Sequence, residues 1–172
     1  MRPILILLPL LLTACSPSDR IGCPTDFSAL GRDEGGAGKP ASLPRADCAP
    51  NADEHERYLD GRTQGLSLYC KARRGYQLGL EGKPANPTLC GDGNTEFKRG
   101  LEVGTQLRTH LAKRDELNAQ AADAERLAAK LPAGVPERAS IEQKAANARF
   151  EARAHENEVE ALRGIVAVEK WR

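Results

Sequence analysis

Fourteen of the chain's 16 glycines fall between residues 22 and 104, and most recur at helical spacing behind an aromatic residue. Phe27 precedes Gly31 and Gly35, Tyr58 precedes Gly61 and Gly65, Tyr76 precedes Gly79 and Gly82, and Phe97 precedes Gly100 and Gly104. Three of these four pairs are spaced i, i+4, which puts both glycines on one helical face. Glycine inside a helix costs about 1 kcal/mol relative to alanine. So many at this spacing call for compensation, and close approach of helix backbones supplies it. Gly36, Gly38, Gly91 and Gly93 read instead as helix ends and turns.

No run of four or more residues alternates as a half-buried strand does, so the fold class is all-α. Asp26 caps a helix that reaches about Glu34, a Pro-rich loop carries 40–50, and Asn51 or Asp53 caps a second helix through about Lys71. A short third helix over 73–82 ends before Pro84 and Pro87, and Gly91-Asp92-Gly93-Asn94 turns the chain into its last long segment. From Thr95 to Leu131 the pattern is continuous helix. Pro132-Ala133-Gly134-Val135-Pro136 interrupts it, and helix resumes to about Lys170.

A 3,4 spacing selects Val103, Leu107, His110, Arg114, Leu117, Ala121, Ala124, Ala128 and Leu131 on the first arm. On the second it selects Ile141, Ala145, Ala148, Ala152, His155, Val159, Leu162 and Val166. These are coiled-coil-like seams, and folding at 132–136 lays them together as a long antiparallel helical hairpin. The expected organisation is a Gly-rich, disulfide-stapled helical cluster over 23–104, followed by the hairpin over 105–172.

The N-terminus sets the expected compartment. Arg2, the apolar run Ile4–Leu12 and small Thr13-Ala14 form a secretory signal over 1–14, too short to remain as a membrane span. Leu12-Thr13-Ala14-Cys15 resembles a bacterial lipobox, in which the cysteine is acylated with fatty chains such as palmitate before the signal is removed. Cys15 would then open a lipidated tether over 15–22, with two or three acyl chains enough for stable anchoring. Ser16 after it, by resemblance to sorted lipoproteins, implies the periplasmic face of a Gram-negative outer membrane.

Cys23, Cys48, Cys70 and Cys90 remain, an even number with no C-x-x-C and no ligand-spaced histidine. Two disulfides are expected. If the cluster's helices are antiparallel, 23–70 with 48–90 is favoured, while the local pairing 23–48 with 70–90 stays open.

Little in the sequence carries chemistry. Twenty-five Lys and Arg against 24 Asp and Glu give a net charge of +1, which offers no case for a nucleic-acid partner. Gly65-Leu66-Ser67-Leu68-Tyr69 fails the nucleophile-elbow pattern at its fifth position, and neither a phosphate loop nor a zinc-helix motif occurs. His110, Arg114 and His155 interrupt the seam at adjacent levels, where two facing histidines could bind a metal or sense pH, but no Cys, Asp or third His is placed to complete a site. They read as flanking polar residues. No catalytic residue, metal or cofactor is expected. Arg62, Arg73 and neighbouring Tyr69 and Tyr76 form a candidate ligand patch, suited to a carboxylate or glycan.

Three segments carry a family resemblance: Phe27-Ser28-Ala29-Leu30-Gly31-Arg32-Asp33-Glu34-Gly35, then Tyr58-Leu59-Asp60-Gly61-Arg62-Thr63-Gln64-Gly65-Leu66-Ser67-Leu68-Tyr69-Cys70, then Gly75-Tyr76-Gln77-Leu78-Gly79-Leu80-Glu81-Gly82. Together over about 23–105 they resemble the envelope lipoproteins grouped as domain of unknown function 2799. The resemblance implies a lipoprotein with this cysteine framework and supplies no biochemical activity.

The expected function is therefore a non-enzymatic, outer-membrane-anchored lipoprotein acting as a structural or protein-interaction module in the periplasm. Its partners would be the membrane, through the lipid, and another envelope protein, through the hairpin. The alternative is a cell-wall glycan or small-ligand binder. Cys15→Ala should move the protein from the membrane pellet to the soluble periplasmic fraction; a variant that still sediments with membranes rules out the anchor.

Overall fold

The structure, a computed structural model, describes residues 23–42, 48–91 and 94–171. The signal segment, the tether and Cys15 lie outside the described residues. The described residues form five α-helices: α1 (Phe27–Gly36), α2 (Ala52–Tyr69), α3 (Ala72–Glu81), α4 (Thr95–Ala128) and α5 (Pro136–Val168). A short 3-10 turn, Pro87–Cys90, precedes α4, and the described residues contain no strand.

Local chemistry sets the helix ends. The Asp26 carboxylate accepts from the Ala29 N–H at 3.0 Å and opens α1. Asn51 and Glu54 form a reciprocal capping box at the start of α2, each side chain accepting from the other's backbone N–H at 2.9 Å. Asn94 caps α4 through the Phe97 N–H, and Pro136 lies in the first turn of α5.

Glycine contacts show how the first four helices pair. A Cβ added at Gly31 would meet the Tyr58 carbonyl oxygen at 2.1 Å, and one at Gly35 would meet that of Arg62 at 2.5 Å. From the other side, Gly61 faces the Ser28 carbonyl and Gly65 that of Arg32. Contacts advance in the same direction along both helices, so α1 and α2 run parallel. The arrangement is then repeated. Gly75 faces the Phe97 carbonyl, Gly79 that of Leu101, Gly100 that of Ala72 and Gly104 that of Tyr76, making α3 and α4 a second parallel pair. The third glycine pair is thus Gly75 and Gly79. Gly82, assigned to that pair by its place after Tyr76, instead ends α3 in the left-handed conformation at φ 66°.

Parallel pairing also decides the disulfides. Parallel helices bring their N-terminal ends together, and a bridge staples each pair there: Cys23–Cys48 ahead of α1 and α2, Cys70–Cys90 ahead of α3 and α4. The Cα separations are 5.3 and 5.5 Å. The pairing 23–70 with 48–90, favoured on the assumption of antiparallel helices, is corrected to the local one. Closing loops of 25 and 20 residues contributes roughly 3 kcal/mol per bridge.

The two pairs meet at Tyr69, the last residue of α2. Its ring is 2% exposed and packs on Phe97 with centroids 5.0 Å apart, and the Asn86 N–H donates to its hydroxyl at 2.8 Å. A larger cluster then joins Tyr76 of α3, Val103 and Leu107 of α4, Val159, Leu162 and Val166 of α5, and Trp171. The change of composition at 104/105 therefore falls inside an unbroken α4, and the root of the hairpin shares its core with the Gly-rich pair. Beyond that root, α4 and α5 contact one another through Leu117, Ala121, Ala128, Ala145 and Ala152, all buried and all on the expected seams. With 34 residues at about 1.5 Å each, α4 is about 50 Å long.

Glycine-to-alanine substitutions separate packing from propensity. Gly61→Ala and Gly100→Ala would drive a methyl to 2.0 Å from a facing carbonyl oxygen, and each should lower stability by about 2–3 kcal/mol despite alanine's helix preference. Gly164 lies within α5 with nothing within 4 Å of an added Cβ, so Gly164→Ala should raise stability by about 0.5–1 kcal/mol. Urea unfolding of the oxidised protein checks both signs.

Candidate functional site

The four residues of the expected ligand patch do not come together on the surface. Arg62 is 8% exposed at the α1–α2 interface, Tyr69 is buried at the junction of the pairs, and Tyr76 is buried against Trp171 with ring centroids 6.2 Å apart. Arg73 alone is exposed. Arg62 is covered because the glycine notches draw α1 and α2 together, whereas Tyr69 and Tyr76 are covered by Phe97 and by Trp171.

Arg62 instead belongs to a polar cluster at the C-terminal end of α1. Its Nη2 donates to the Lys39 carbonyl at 2.7 Å, where the negative end of the helix dipole favours a cation. Its Nη1 is buried and finds no hydrogen-bond acceptor among the described residues. Beside it, the Tyr58 hydroxyl donates to Glu34 Oε2 at 2.6 Å, and the Ser42 hydroxyl donates to Glu34 Oε1. Burial pushes the Glu34 carboxyl up, but the hydrogen bonds from Ser42 and Tyr58, with Arg62 nearby, together hold it below its ordinary range. Burial, then the Glu34 hydrogen bond, pushes the Tyr58 hydroxyl up.

The second helix pair shows what this cluster replaces. Gly31, Gly35 and Gly38 have the spacing of Gly75, Gly79 and Gly82, and Tyr58, Gly61 and Gly65 that of Phe97, Gly100 and Gly104. Lys39 N–H donates to the Glu34 carbonyl as Lys83 N–H donates to that of Leu78, at 3.0 and 2.9 Å. At the positions of Glu34 and Tyr58 the second pair therefore has Leu78 and Phe97, which pack in an apolar cluster. The first pair is thus the polar version of a duplicated unit. No motif of known chemistry marked Glu34 or Ser42; the duplication picks out Glu34 opposite Leu78, and Ser42 enters through its hydrogen bond to Glu34.

A second polar cluster crosses the hairpin. His110 Nδ1 and His155 Nδ1 lie 2.9 Å apart, with ring centroids at 5.1 Å. One turn further along, Arg114 pairs with Glu156 at 2.7 Å. Arg149 makes a two-pronged pair with Glu125 at 2.6 and 2.7 Å. These partners hold Glu125 below and Arg149 above their usual values through that hydrogen bond. An open groove of about 190 Å³ lies between Arg114, Asn118, Arg149, Arg153 and Glu156, with Ala152 also lining it.

Glu34→Ala removes the acceptor of a buried hydroxyl and should destabilise the protein by about 1–3 kcal/mol. The folded carboxyl titrates below its unfolded value, so its contribution is complete above the unfolded range and is lost as pH falls through the folded value. Denaturant curves should therefore show a shallower acid decline for the variant than for the parent.

Among the described residues no helix is long and apolar enough to cross a membrane, and no three potential ligands converge on a metal position. Neither the curated proteins nor the solved structures contain a match to this chain. Residues 26–106, the span that holds both glycine-notched pairs and the Glu34 cluster, match the model of the family described as protein of unknown function (DUF2799).

Proposed function

We propose that this protein is a non-enzymatic lipoprotein of the outer membrane, tethered through acylated Cys15 on the periplasmic side, and that its hairpin engages another envelope protein. The supporting observation is the exposure of large apolar side chains on the outer half of that hairpin: Phe150 is 75% exposed and Leu127 52%. Both lie beyond the root at which α4 and α5 pack with Tyr76 and Trp171. Around them the hairpin bears charges of both signs, many already paired, as in Arg149–Glu125 and Arg126–Asp123. Such a face suits a protein partner of mixed polarity better than an anionic polymer.

Photo-cross-linkers placed at Leu127 and Phe150 in the native envelope should each capture the same envelope protein, identified by mass spectrometry. A probe at exposed Leu59, in the Gly-notched cluster, should not capture it. Absence of any cross-link, together with full function of a chain whose hairpin is shortened by two heptads per arm, overturns the proposal.

A further inference from the structure

The histidine pair stands apart from the rest of the seam. Just toward the root from it are buried Leu107 and Val159, and toward the tip are buried Leu117 and Ala152. At the level between them, two half-buried imidazoles from helices 45 positions apart in sequence present the same nitrogen to each other. Without a third party, one Nδ1 donates and the other accepts, so only one of the two rings carries a proton at Nδ1. With both Nδ1 atoms unprotonated, the two lone pairs face one position from opposite helices.

The 2.9 Å separation is that of a hydrogen bond between the rings, and it also places the two nitrogens within the reach of a single ion. Two nitrogens on adjacent corners of a tetragonal site, at bonds of about 2.0 Å, are about 2.8 Å apart. A tetrahedral zinc with bonds of about 2.0–2.1 Å would require about 3.3–3.4 Å, and hence a separation of the helices or rings. Imidazole is a good ligand for either ion, and the general order of affinities favours copper(II). Binding would require the two rings, tilted at 51° to each other, to turn until their lone pairs meet at one point off the line between the nitrogens. No third His, Cys, Asp or Glu among the described residues joins the pair, which leaves the remaining corners to solvent.

We infer that His110 and His155 form a two-nitrogen chelate for a tetragonal divalent transition ion, copper(II) above all, that braces α4 against α5 where the hairpin leaves the core. The level matters. On the root side of the pair, the seam is continuous with the cluster of Val159, Leu162, Val166 and Trp171. On the tip side, α5 packs on α4 mainly through alanines, which bury less apolar surface. An ion at 110/155 therefore adds a cross-helix bond where the outer arm's attachment to the root begins to weaken.

Titration of the full-length mature protein, disulfides intact, with copper(II) at neutral pH tests the assignment. One ion per chain should bind, the electron paramagnetic resonance spectrum should show coupling to two equivalent imidazole nitrogens, and the thermal midpoint should rise with copper concentration. His110→Ala and His155→Ala should each weaken binding by roughly a hundredfold, since the second imidazole acts as an intramolecular ligand. Alanine suits an already Ala-rich seam, so helicity should be kept, and circular dichroism verifies it. His55→Ala, which removes an exposed histidine of α2, should bind as the parent does. A parent that binds no copper, or a His110→Ala/His155→Ala double variant with unchanged affinity and spectrum, overturns the inference.

Discussion

Contact between backbones at the glycine notches is the constraint from which the rest of the cluster follows. Each parallel pair presents four carbonyl oxygens to four glycines, at positions where any side chain would meet a main-chain atom. These atoms cannot rotate away as the end of a flexible side chain can. Helices held this closely bury little large apolar surface, which explains how a sequence with few bulky hydrophobic residues still forms a dense first half. The same closeness covers Tyr58 and Arg62 between α1 and α2, turning Arg62, a candidate ligand residue, into an interface residue.

The duplicated pair divides labour between its copies. In the second copy, Leu78 and Phe97 join Tyr69 in an apolar cluster that borders the Cys70–Cys90 bridge. In the first, Glu34, Ser42, Tyr58 and Arg62 occupy the comparable region with hydrogen bonds. An apolar contact tolerates small shifts, whereas a satisfied carboxylate fixes the loop that reaches over it at Ser42. The second copy thus supplies the base for the hairpin, and the first a polar end held in one geometry.

Much of this architecture was legible in the sequence. The limits of all five helices follow from caps, prolines and glycines, and every seam position named on α4 and α5 is buried or half-buried. Helix direction was not legible, because i, i+4 glycines look alike in parallel and antiparallel pairs; that ambiguity produced the less favourable disulfide expectation. Burial of Arg62 and Tyr69 was also hidden, since a charged or hydroxylated residue on a helix is ordinarily exposed. His110 and His155 were visible as neighbours across the seam, but only the side-chain geometry brings the two Nδ1 atoms into contact.

Local disulfides within each parallel pair carry a consequence for biogenesis. Cys23 joins Cys48 and Cys70 joins Cys90, so within this set of four the first cysteine bonds to the second and the third to the fourth. A polypeptide emerging N-terminus first into an oxidising space presents each partner before the next couple appears. Oxidation in order of emergence then yields the native connectivity directly, without a reshuffling enzyme to undo a crossed intermediate.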